Sequence, residues 1–208
     1  MIFNRYFDLF FIKFPIIFPF FYLLFLFKFP EYDKVIAFFT MLLLAEPHFG
    51  ATWSVFFDKK MVNYASDKRV TFIWTSLIIV AFSIIFFILN KPLFYFIFLI
   101  FNIYHVTRQS VGICKLFSIN KKEIHFQEWL LYTFNFIILI AIFFYHMLKV
   151  VDNNIAIYIG IVFLIFSILL TSFQFYIFRS LDQALTTFTG MGIFIPSFFV
   201  DETIHAIL

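Results

Sequence analysis

Cysteine is nearly absent from this 208-residue sequence, where Cys114 stands alone. A single thiol excludes an internal disulfide framework and any cysteine-rich metal cluster. Charge is scarce as well: Asp, Glu, Lys and Arg make up 13% of the chain, against about 25% in an ordinary globular domain. The net charge of +3 is small and its basic residues fall between apolar runs, so no nucleic-acid partner is expected. Glycine is down to 5 copies, and no Gly/Ser-rich linker, low-complexity tail or internal repeat divides the chain. Catalytic signatures are missing too. There is no His-Glu-x-x-His, no His-x-x-x-His pair and no Gly-x-Ser-x-Gly. Five histidines are too few for the histidine-rich membrane desaturases.

What fills the chain instead is hydrocarbon. Hydrophobic residues reach 63% and mean hydropathy is +1.00, which excludes a soluble domain and predicts an all-α, polytopic transmembrane helix bundle. At about 20 residues per crossing, the length allows one domain, 1–208, of six or seven spans. The 39 phenylalanines read first as lipid-facing surface in a codon-biased sequence rather than as an aromatic ligand site. The N-terminal apolar run holds Lys13, Pro15 and Pro19, with no small-residue cleavage site before Lys28. It is therefore expected to stay as the first span.

Apolar runs between charged punctuation predict helices near 9–27, 35–57, 70–89, 92–117, 128–148, 155–178 and 184–200. The fourth either ends near Tyr104 or continues past Arg108 and Lys115 to Phe117. With the N-terminus in the cytoplasm, eleven basic residues lie on that side and only Lys28, Lys34, Lys91 and Lys149 on the other. That bias sets the N-in orientation and, in a bacterium, the inner membrane. After Asp201-Glu202-Thr203 the chain stops on an apolar turn, Ile204 to Leu208, that reads as the start of another helix. Two readings stay open: a complete chain, or a fragment lacking a final helix or two.

Ionisable groups in such runs cost several kcal/mol unless paired, hydrated or metal-bound, so they are the candidate functional residues. Glu46 sits at the middle of the second predicted helix, with His48 less than a turn away, a kink at Pro47 and Thr52 on the His48 face. The alternative is a Glu46–His48 pair that fixes packing. In the fourth helix Asn102, His105, Gln109 and Gly112 form one stripe flanked by Tyr104 and Arg108. A helix running to Phe117 predicts that this stripe faces the bundle interior; a shorter one makes Arg108 a cytoplasmic anchor. Near the end, Asp201 and Glu202 are placed to orient His205, or to cap a helix. His146 is expected at the membrane interface, and His125 in a solvated loop.

Imidazoles from three helices can build a metal site in a bundle core, and with carboxylates and no thiolate the natural metal is Fe(II). His48, His105 and His205 are the expected ligands. Glu46 and Asp201 would orient them, and Arg108 and Gln109 would hold a polar substrate end or an oxygen-derived group. At these residues the chain resembles the Brp/Blh family of membrane carotene dioxygenases. The likeness rests on Pro47-His48 followed by Gly50, and on Tyr95-Phe96 leading to His105-Val106-Thr107-Arg108. It departs at Phe49, which interrupts the family's Pro-His-Gly, and at Gln109, where the family offers His. The resemblance implies a helix bundle with histidine-ligated iron that cleaves an apolar isoprenoid. The expected partner is thus a membrane lipid or apolar small molecule. The alternative expectation is a small proton-coupled transporter, with Glu46 and His48 titrating at the Pro47 kink and Arg108 binding an anion. A homo-oligomer would supply the second half that such a carrier needs.

Overall fold

The computed structural model describes residues 6, 17–40, 63, 66–117 and 121–201. Among them are seven α-helices and no strand. In chain order these are α1 (Ile17–Lys28), α2 (Asp33–Thr40), α3 (Arg69–Leu89), α4 (Lys91–Phe117), α5 (Lys121–Ile142), α6 (Asn153–Phe178) and α7 (Leu181–Gly192). A 3-10 turn, Pro30–Tyr32, joins α1 to α2, and a second, Ile195–Phe199, follows α7. Helices α4 to α7 and that last turn pack together and hold the main core, around Leu131, Ile138, Ile142, Met191, Ile195 and Phe198.

Local chemistry sets the breaks. At Asn90 the chain leaves α3, and the Asn90 side chain accepts the Leu93 N–H at 3.1 Å, starting α4 with Pro92 in its first turn. Asp152 caps α6 by accepting from Ile155 N at 2.9 Å. The other end of α6 closes on Arg179, whose left-handed φ of 56° brings its N–H to Phe175 O at 2.8 Å.

Among the described residues two helical stretches, Lys122–Met147 and Asn153–Phe178, each of 26 residues, are long and apolar enough to cross a membrane. That is fewer than six or seven, and the described part of the first two predicted spans is limited to α1 and α2. Helix α6 is built inside out relative to a soluble helix. Its buried stripe is Ala156, Gly160, Ser167, Thr171 and Gln174, while Ile161, Ile165, Phe166, Leu169 and Phe173 are exposed.

One predicted alternative is decided and two predicted boundaries need correction. Helix α4 does run to Phe117, the longer of the two readings. Helix α5 begins at Lys121 instead of 128, because Glu123 and Gln127 continue the same buried face as Leu130, Leu131 and Phe134. The predicted helix 184–200 is broken: α7 covers 12 residues and stops at Gly192, about 18 Å along the bundle. Two turn residues and the 3-10 segment carry the chain onward to Tyr145, whose hydroxyl meets Val200 O.

Close approach explains two glycines. A Cβ on Gly160 would meet Phe198 Cβ at 2.8 Å, so this residue lets the 3-10 segment lie on α6. A Cβ on Gly190 would meet Leu131 Cδ2 at 2.7 Å and Ser110 Cβ at 2.9 Å, so α7 presses against α4 and α5 there.

Candidate functional site

A broken helix frees backbone carbonyls, and in an apolar interior each needs a donor. Helix α5 and the π-helical turn that extends it supply three. Asn135 Nδ2 donates to Gly190 O at 2.9 Å and to Thr107 Oγ1 at 2.9 Å. His146 donates from Nε2 to Ser197 O at 2.7 Å, and the Tyr145 hydroxyl donates toward Val200 O at 3.1 Å. Tyr145 and His146 continue the buried pairs Leu130/Leu131, Phe134/Asn135 and Ile138/Leu139 of α5. Both lie in the π-helical turn Phe143–Met147, where Leu148 N is bonded to Phe143 O at 3.1 Å. His146 was expected at the interface; it is buried, because the returning segment 195–199 covers it.

A second polar group fills the end of the bundle where α4 and α6 finish and α5 and α7 begin. Gln127 Nε2 donates to Thr187 Oγ1 at 3.0 Å and to Gln183 O at 3.4 Å. The Gln183 side chain donates to Phe117 O at 3.1 Å. Thr186 and Thr187 donate back to Gln183 O at 3.0 and 2.8 Å, and Cys114 Sγ lies 3.6 Å from Thr186 Oγ1. Glu123 is buried beside them, its carboxyl facing Ser180 and Gln174. Sequence reasoning placed Glu123 in a loop and passed over every one of these amides. The signal was there in register: Glu123 and Gln127 at i, i+4 on the Leu131 face, and Ser167, Thr171 and Gln174 at i, i+4, i+7.

Between α4 and α5 runs a half-open groove of about 790 Å³. Phe96, Ile100, Leu139 and Phe143 form apolar walls, and Thr107, Thr133 and Asn135 also line it. Tyr104 and Tyr132, rings 6.2 Å apart, line its other end. On α4 the lining residues run from Phe96 to Thr107, a length of about 16 Å. Asn135 Oδ1 is buried without a hydrogen-bond partner.

The residues singled out by sequence distribute differently. Glu46, His48 and His205 lie outside the described residues. His105 and Arg108 are exposed on α4 and Gln109 is partly buried, on the side away from the buried Leu99, Ile103, Thr107 and Val111. The interior-facing expectation for this stripe is therefore not met within the described bundle. Each residue is instead paired one turn away along its own helix: Gln109 Nε2 is 3.0 Å from His105 Nε2, and Arg108 Nη1 donates to Tyr104 Oη at 3.2 Å. Asp201 meets the Tyr145 hydroxyl at 3.3 Å through Oδ1, and its backbone oxygen accepts from Lys149 Nζ at 3.2 Å. His125 is exposed as expected, though on α5 rather than in a loop. No group of three or more His, Cys, Asp or Glu that could hold a metal occurs among the described residues. No family model matches this chain, and no curated protein or solved structure matches it.

Proposed function

We propose that the chain is an integral membrane protein that takes a membrane-dissolved apolar molecule into the groove between α4 and α5. The inverted burial of α6 supports the membrane: a surface of Ile, Leu and Phe around buried Ser, Thr and Gln is stable where hydrocarbon is the solvent. Six or seven spans with a cytoplasmic N-terminus follow from the apolar runs and the basic-residue bias of the whole sequence.

The groove carries the functional part of the reading. Its half-open side and apolar walls suit an isoprenoid or acyl chain. Tyr104, Thr133 and Asn135 give the lining a few polar groups, which suits a ligand with one polar end, such as a hydroxyl. Arg108, tied to Tyr104 where that tyrosine lines the groove, is placed to meet a polar end. Purified protein should carry a bound lipid or isoprenoid alcohol, detected by extraction and mass spectrometry. Thr133→Trp, which fills the groove from an exposed position, should displace it. Equal ligand in native and T133W protein would sink the reading.

The finer proposal is iron-dependent oxygenation of a membrane-dissolved apolar substrate, with His48, His105 and His205 holding Fe(II) and Glu46 and Asp201 beside them. The described residues alone do not fit an iron centre. His105 is two positions from both Ile103 and Thr107, and so points to the side of α4 opposite the groove. Metal analysis of native and His48→Ala protein tests it, and iron well below one per chain in folded native protein rejects it. A second reading, a proton-coupled carrier, is favoured by the broken α7, since interrupted helices with polar groups between them are built around transported ions and solutes.

A further inference from the structure

Amide side chains become fixed acceptors when their nitrogens are held by groups that can only accept. Gln183 Nε2 is held by the carbonyl of Phe117 at 3.1 Å. Gln127 Nε2 reaches the carbonyl of Gln183 at 3.4 Å and also Thr187 Oγ1 at 3.0 Å. That hydroxyl spends its own hydrogen on Gln183 O at 2.8 Å. Neither amide can turn over without setting oxygen against oxygen. Their Oε1 atoms are thereby fixed as buried acceptors, and neither has a hydrogen-bond partner.

Two further groups add to this excess. Gln174, 1% exposed on α6, faces the Glu123 carboxyl, and neither of its amide atoms has a partner at hydrogen-bond geometry. Glu123, 4% exposed on α5, has an Oε1 with no hydrogen-bond partner, and the ion pair between Lys115 and Glu128 leaves it out. Buried oxygen without a donor costs about 1–3 kcal/mol each, and more for a charged group. Four such side chains on three helices at one end of the bundle call for a common partner. The helix ends add little net field, because two helices start and two finish here and their dipoles oppose.

We infer that Glu123, Gln127, Gln174 and Gln183 form a binding site for a monovalent alkali cation such as sodium. The donor set is oxygen only, which selects hard cations over zinc, copper or iron. It carries one carboxylate, so a single positive charge is neutralised with none left over. A proton on Glu123 would supply one donor, whereas a cation contacts oxygens from α5, α6 and α7 together. Occupancy would tie the first turn of the broken α7 to the ends of α5 and α6. This site is separate from the α4–α5 groove and does not depend on what the groove binds.

The test uses the full chain in detergent, melted in sodium, potassium, lithium or choline chloride at equal ionic strength. At least one alkali ion should raise the melting temperature by several degrees over choline, saturably with concentration. Glu123→Gln should remove the shift while still melting cooperatively in choline. Gln174→Leu, which removes one oxygen from the set, should raise the saturating concentration about tenfold. Identical melting in all four salts would overturn the proposal and leave water or a proton as the partner. So would an E123Q protein that keeps the full shift, or saturation by calcium below any alkali ion.

Discussion

The outer face of α4 and the buried face of α5 both carry polar residues, and they dispose of them in opposite ways. On the outer face of α4, His105 pairs with Gln109 and Arg108 with Tyr104, each one turn away along the same helix. On α5 and the π-helical turn that extends it, Gln127, Asn135 and His146 reach across to Gln183, Gly190 and Ser197 in the α7 region. The first arrangement lets a helix carry its own polar load and leaves its outer face exposed. The second spends polar groups on holding a broken helix inside the bundle. A polar residue in a hydrophobic run therefore marks an expense, and the partner decides whether it is settled locally or in the tertiary structure.

Substitutions separate the two cases. The largest loss is expected from Gly160→Val, which forces side-chain atoms into Phe198 and lifts the 3-10 segment off α6. Overpacking of this kind costs about 3 kcal/mol and should appear as a lower midpoint in detergent unfolding. Asn135→Leu comes next. It strands the Gly190 carbonyl and should cost about 2 kcal/mol, with faster proteolysis between α7 and the 3-10 segment as a second readout. Gln109→Leu should fall within about 0.5 kcal/mol of the native protein, since its partner on the same helix is exposed. A Gln109→Leu loss as large as that of Asn135→Leu would erase the distinction.

The same contrast explains what could be read from sequence. Long apolar runs fixed the all-helical class, and α3, α4 and α6 fall within two residues of expectation, because hydrophobic length and flanking Asn90 and Asp152 are local signals. Gly190, Gly192 and Pro196 fall inside the expected helix 184–200, and α7 stops at Gly192. The start of α5 was hidden because Lys121, Lys122 and Glu123 look like loop punctuation, although Glu123 lies on a buried face that only packing against α6 and α7 creates. The candidate site was the least legible part. Attention to charge and imidazole singled out His105 and Arg108, which the bundle leaves exposed. It passed over Gln127, Asn135, Gln174 and Gln183, whose importance comes from partners 28 to 66 residues away or from having none.

Polar groups on the buried face of α5 act across helices, while His105, Arg108 and Gln109 on the outer face of α4 act within one. A pair of double-mutant cycles tests it directly, one joining Gln127→Leu to Thr187→Val and the other His105→Leu to Gln109→Leu. Detergent unfolding should give a coupling of about 1 kcal/mol for Gln127–Thr187 and less than about 0.3 kcal/mol for His105–Gln109. Equal couplings, or a stronger one on α4, would contradict the account.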